Sequence, residues 1–61
     1  MSDGMGWARR VEAGERVSAP AKDGSIQEGV VVDVLTVMLF IEFDRGGENF
    51  VYKADRNLGR L

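Results

Sequence analysis

Cysteine and histidine are both missing from this sequence. Without cysteine there is no disulfide and no thiolate metal site. Without histidine there is no imidazole ligand, no serine–histidine–aspartate triad and no histidine acid–base chemistry. An excess of positive charge is missing too. Lys+Arg number 8 against 10 for Asp+Glu, which gives a net charge of −2 and a pI near 4.9. The domain-wide basic surplus of a nucleic-acid binder is therefore absent. Long apolar runs are lacking as well. The longest near-apolar stretch, Gly29 to Ile41, is broken by Asp33 and falls well short of the roughly 20 residues of a membrane helix. The opening Met1-Ser2-Asp3-Gly4-Met5-Gly6-Trp7 has no basic start and no apolar segment. No signal peptide is expected from it, and the cytoplasm is the expected location.

What is present is a short chain of 61 residues with 44% hydrophobic content, enough for one small folded domain. A chain of this length buries only about 60% of the surface its unfolded form exposes. Residues 1–14 read as a tail, flexible or briefly helical, with Trp7 and Val11 as its bulky apolar anchors. A short helix from Trp7 to Ala13 would place those two on one face, and a mobile tail is the preferred reading. Residues 15–61 read as the domain proper.

From Glu15 onward the pattern has period two. Arg16 to Ala19 is the first expected strand, with Pro20 at its end, because proline cannot donate to a ladder. Asp23-Gly24 signals a turn. Ser25 to Val34 is a long second strand, with Gly29 suited to a bulge or bend. Its even positions Ile26, Val30, Val32 and Val34 are expected on one face. Leu35-Thr36-Val37 connects to a third strand, Met38 to Asp44. There Leu39, Ile41 and Phe43 share one face, and Met38, Phe40 and Glu42 the other. Arg45-Gly46-Gly47 supplies a hairpin turn, followed by a fourth strand from Asn49 to Lys53. Ala54 to Asn57 reads as one 3₁₀ turn and Leu58 to Leu61 as a short last strand.

The hairpin register decides what faces outward. A three-residue loop pairs Asp44 with Glu48 and sets Ile41 opposite Val51 and Phe40 opposite Tyr52. A two-residue Gly46-Gly47 loop brings Phe43 opposite Phe50 and turns Phe50 and Tyr52 inward. The first is preferred, because Val17, Ile26, Val30, Val32, Leu39, Ile41, Val51 and Leu58 already fill a small core. Phe40, Phe50 and Tyr52 then share an outer face that calls for a partner.

The run Gly14-Glu15-Arg16-Val17-Ser18-Ala19, then Lys22-Asp23-Gly24-Ser25-Ile26-Gln27-Glu28-Gly29-Val30-Val31, then Phe40-Ile41-Glu42-Phe43-Asp44, closing on Leu58, resembles Tudor domains. The resemblance spans Gly14 to Leu61 and implies an all-β, five-stranded SH3-like (Tudor-like) barrel. In Tudor domains that read methyl-arginine, an aromatic cage holds the cation. The resemblance places those positions near Pro20, at Gln27, at Phe43 and around Gly46. Only Phe43 is aromatic, so methylated-peptide reading is not expected.

The chain is also similar to type II, trimethoprim-resistant dihydrofolate reductase in Gly14-Glu15-Arg16-Val17, in Gln27-Glu28-Gly29-Val30-Val31, and in Val51-Tyr52 with Leu58. That family surrounds one pore with four copies, and a Val-Gln-Ile-Tyr strand grips folate and NADPH. Asn49-Phe50-Val51-Tyr52 matches the strand, with Phe50 in place of the pore glutamine and Ala21 in place of the pore lysine. A tetrameric reductase-like enzyme is the alternative that this likeness implies.

The remaining features have plain readings. Glu42, Asp44 and Glu48 gather around one hairpin, which is too exposed for the fixed, pKa-shifted carboxyl pair of acid–base catalysis. They lack the Asp-x-Asp-x-Asp-Gly spacing of a calcium loop. Gly46-Gly47 has no phosphate-loop context. No catalytic residue, cofactor site or metal site is assigned. Charge is uneven: residues 1–24 carry four basic and four acidic groups, residues 25–48 one against five, and residues 49–61 three against one. Lys53, Arg56 and Arg60 beside Phe50 and Tyr52 would suit a weak RNA- or DNA-binding barrel, but the acidic hairpin next to them repels phosphates. The expectation is a non-catalytic binding module, of the size of a small bacterial or phage regulatory protein. Its aromatic face takes a protein or peptide partner or another copy of the chain, with Phe40, Phe50 and Tyr52 at the centre and Glu42, Glu48, Lys53 and Arg56 as a charged rim.

Overall fold

The alternation seen in the sequence is carried out as five strands: β1 (Arg16–Pro20), β2 (Ile26–Val34), β3 (Met38–Phe43), β4 (Glu48–Tyr52) and β5 (Gly59–Arg60). The computed structural model describes residues 7–61. The strands form one sheet in the order β4-β3-β2-β1-β5, and each neighbouring pair is antiparallel. The protein is all-β, with a single 3₁₀ turn, Trp7–Arg9, as its only helical element among the described residues. The sheet curls, so that the Asn49 side-chain amide on β4 donates to the Pro20 carbonyl on β1 at 3.0 Å.

The curl encloses a core of Val17, Ala19, Val31, Leu39, Ile41, Phe43, Val51 and Leu58, joined by Ala8 and Val11. Burial of this kind is the main source of stability in so small a chain, at about 1.5–3 kcal/mol for each large side chain. Ala8 and Val11 precede the strands, so residues 7–14 pack against the sheet. Gly14 N–H donates to the Val31 carbonyl at 2.7 Å, and Val31 N–H to the Glu15 carbonyl at 2.9 Å. Trp7 packs against the core, and the Arg60 guanidinium lies 5.8 Å from its ring centroid, a cation–π distance. The helix weighed for Trp7–Ala13 shrinks to that 3₁₀ turn. The rest of the expected tail, residues 1–6, lies outside the described residues.

The inward face of β2 differs from expectation. Gly29 and Val31 point into the core, whereas Ile26 and Val32 are 51% and 42% exposed and Val30 is half-buried. The cause is Gly29, which sits where β2 crosses β3. A Cβ there would overlap the Glu42 carbonyl oxygen and press on Ile41 and Phe43. With Gly29 committed inward, the odd positions follow it. The expected irregularity at Gly29 falls instead between Val31 and Asp33. This bulge resets the alternation, so that Val34 packs against the core again.

The β3–β4 hairpin takes neither of the registers considered. Gly46 N–H donates to the Phe43 carbonyl at 3.0 Å, and Phe43 N–H to the Gly47 carbonyl at 2.9 Å. The three-residue loop is therefore Asp44-Arg45-Gly46, one position earlier than expected, with Gly46 at φ 110°. A three-residue hairpin needs a left-handed residue at its third position, and Gly46 supplies it. Phe40 consequently faces Phe50, Met38 faces Tyr52 and Glu42 faces Glu48. Between β4 and β5 the expected 3₁₀ turn is replaced by two successive turns. They are closed by Asp55 N–H to the Tyr52 carbonyl at 3.0 Å and Leu58 N–H to the Asp55 carbonyl at 3.1 Å.

Candidate functional site

Because side chains alternate along a strand, β3 and β4 each send one set inward and one outward. Leu39, Ile41, Phe43 and Val51 are buried. Met38, Phe40 and Glu42 on β3, and Glu48, Phe50 and Tyr52 on β4, lie on the other side. Phe40 and Phe50 meet there with ring centroids 4.7 Å apart and planes tilted by 41°. Phe50 and Tyr52 nevertheless remain 52% and 59% exposed. The bulge stands Val32 and Asp33 against Phe40 on the β2 side, which widens the apolar face.

The hydrogen-bond pattern explains why the rings are so close. The bonds that close the hairpin link Phe43 with Gly47 at one end, and Lys53 N–H donates to the Val37 carbonyl at 2.9 Å at the other. Alternation then makes Phe40/Phe50 and Glu42/Glu48 the non-hydrogen-bonded pairs, in which side chains approach most closely. For the phenyl rings this is favourable. For Glu42 and Glu48 it sets like charges face to face, which is destabilising. Neither carboxylate has an ion-pair partner among the described residues, nor do Lys53 and Arg56. Lys53 and Arg56 lie in the turns beyond β4 and are not brought against the rings.

The nearby acidic residue that does find a partner is Asp44. Arg16 reaches it with both terminal guanidinium nitrogens, Nη1 at 3.1 Å, and also approaches Glu28 at 3.5 Å. Hydrogen bonding from Arg16 holds the Asp44 carboxyl below its ordinary value. The same hydrogen bond, followed by the Coulombic attraction of Asp44, raises the pKa of Arg16. The pair links β1 to the β3–β4 loop across the exposed surface.

A separate cleft of about 520 Å³ opens between the two hairpin tips, lined by Ala21, Lys22, Asp23, Gln27, Phe43, Gly46, Gly47 and Glu48. Three positions where the Tudor resemblance would place a cage, Gln27, Phe43 and Gly46, border it. Phe43 is its only aromatic and is 94% buried by neighbours, with 6% of its surface left exposed. The Gln27 amide is spent on Ser25 Oγ at 2.8 Å. A cation there would meet no opposed ring faces.

Sequence reasoning missed Val32 and Val30 as members of the outer face. The run Val30-Val31-Val32 is apolar at every position and carries no alternation to read. Comparison with protein-family models, with curated proteins and with solved structures finds no match to this chain.

Proposed function

We propose that this protein is a non-catalytic binding module of SH3-like (Tudor-like) architecture that takes a protein segment on the outer face of β3 and β4. The observation that carries the reading is the tilted contact of half-buried Phe40 with exposed Phe50, beside the exposed Tyr52. The architecture is supported by the strand order, with β5 returning beside β1, and by the Asn49 bridge from β4 to β1. Asp33, Glu42 and Glu48 beside the rings favour a partner with Lys or Arg over a nucleic acid, whose phosphates they would repel.

Magnitudes limit what the rings do alone. Covering the bare half of Phe50 and of Tyr52 removes about 100 Å² each, or about 2–3 kcal/mol per ring. Association costs about 4–15 kcal/mol in lost freedom. The rings therefore need help from the charged rim and the backbone. The test is selection of short peptides from a random displayed library. Enriched peptides should be apolar with Lys or Arg and should be lost on a folded Phe40→Ser/Tyr52→Ser variant. Peptides that bind the variant equally well would refute the reading.

A further inference from the structure

Strand β4 lies at the edge of the sheet with β3 on one side only. Residues Gly47, Asn49, Val51 and Lys53 turn their backbone groups toward β3, as the bonds at both ends of the hairpin require. Glu48, Phe50 and Tyr52 turn theirs away from the sheet. Natural edge strands of monomers are protected by shortness, proline, lysine or a bulge. The opposite edge, β5, follows this rule with two residues. β4 has five residues with no proline, lysine or bulge; Glu48 is its one charged side chain, and Pro20 of β1 approaches it at Asn49. The residues with outward backbone groups include the two that carry the exposed rings.

We propose that the edge of β4 pairs antiparallel with β4 of a second copy of this chain, about a two-fold axis through Phe50. This rests on the reading of the outer face as a protein-binding surface and names its partner. The register follows from geometry. With Phe50 opposite Phe50, Glu48 falls opposite Tyr52 in both directions, and all of these residues have outward backbone groups. Phe50 N–H then donates to the Phe50 carbonyl of the other copy, and Tyr52 N–H to the Glu48 carbonyl, reciprocally. The Tyr52 carbonyl already accepts from Asp55 N–H at 3.0 Å and is not required.

Side chains and charge agree with this register. All paired residues project to the same outer face, so the Phe40–Phe50 contact of one copy adjoins that of the other. Tyr52 of each copy comes beside Glu48 of its neighbour. Each β4 starts at Glu48, opposite Glu42, and runs into Lys53 and Arg56. Antiparallel pairing brings the acidic start of one strand toward the basic end of the other, a favourable long-range arrangement of charge. A domain this small also gains stability by associating.

The test is the mass of the full chain in solution across a micromolar-to-millimolar series, with amide hydrogen exchange at both ends. The mass should rise from 6.7 kDa to twice that value. As it does, exchange at Phe50 and Tyr52 should slow, while Asn49 and Val51, bonded to β3, should not change. Phe50→Lys should remain at 6.7 kDa throughout. Glu48→Lys relieves the repulsion within one copy and moves positive charge to the end of the strand that lies nearest Lys53 and Arg56 of the other. It should weaken the dimer while leaving the fold intact, so the test survives if Phe50→Lys does not fold. A mass of 6.7 kDa at every concentration would overturn the proposal, as would a dimer indifferent to both substitutions or unchanged exchange at Phe50 and Tyr52. A monomer that still binds selected peptides through Phe40 and Tyr52 would overturn the second copy alone. A monomer that binds none through that face would overturn the underlying reading as well.

Discussion

Both faces of the β3–β4 hairpin carry large apolar residues, yet only one of them is sealed from solvent. Leu39, Ile41, Phe43 and Val51 are sealed inside, while Met38, Phe40, Phe50 and Tyr52 stand on the opposite face with Phe50 and Tyr52 mostly bare. A chain that needed only to fold would place polar residues on its solvent side, as antiparallel sheets with one wet face do. On the proposed reading, the exposed rings of Phe50 and Tyr52 serve a partner rather than the fold. The two faces are then separable by mutation.

The sharpest contrast comes from the inner face. Leu39→Ala should cost about 2–5 kcal/mol, read by chemical denaturation, because Leu39 is fully enclosed. Given the small core, this variant is expected to be largely unfolded at physiological temperature. A smaller loss is expected where the backbone itself shapes the inner face. Gly29→Ala drives a methyl into the Glu42 carbonyl and should cost about 1–3 kcal/mol. If it costs nothing, the close crossing of β2 over β3 is wrong.

The smallest effect concerns the exposed tie between β1 and the hairpin. Asp44 in the folded chain titrates below its ordinary value of 3.8, because Arg16 donates to it. Asp23 is lowered likewise by hydrogen bonds from Ser25. A group with a depressed folded pKa stabilises the fold above its unfolded pKa, and that contribution is lost as pH falls through the folded value. Thermal midpoints should therefore change little with these groups from neutral pH down to about 4 and decline below it. Asp44→Asn should flatten part of that decline. A decline unchanged by the substitution would show that the pair with Arg16 contributes nothing, a common outcome for exposed pairs.

Much of this organisation is legible in the sequence, and the exceptions have physical causes. The clean alternation of Leu39, Ile41 and Phe43 against Met38, Phe40 and Glu42 identifies both faces of β3. The hairpin loop lies one position from where the glycines suggest, because Gly46 and Gly47 both reach positive φ and either can end the turn. That displacement moves the pairing by two residues, which preserves every side chain's face. The outward trio of Phe40, Phe50 and Tyr52 is thus insensitive to the error, although Phe40 pairs with Phe50 rather than Tyr52. On β2 the three consecutive valines hide the alternation, and the steric need at Gly29 is visible only once β3 lies across it. Ala8 is too small to announce itself as core. The contact of Arg16 with Asp44 links residues 28 positions apart, beyond the reach of local patterns.

If the rings serve a partner, the outer face of β3 and β4 is dispensable for folding. The most direct test is the denaturant stability of the Phe40→Ser/Tyr52→Ser variant, measured at a concentration low enough to keep the chain monomeric. A loss of about 1–2 kcal/mol is expected, the scale of one exposed aromatic contact and a partly buried ring. A loss as large as that of Leu39→Ala would contradict it, and would place these rings in the core.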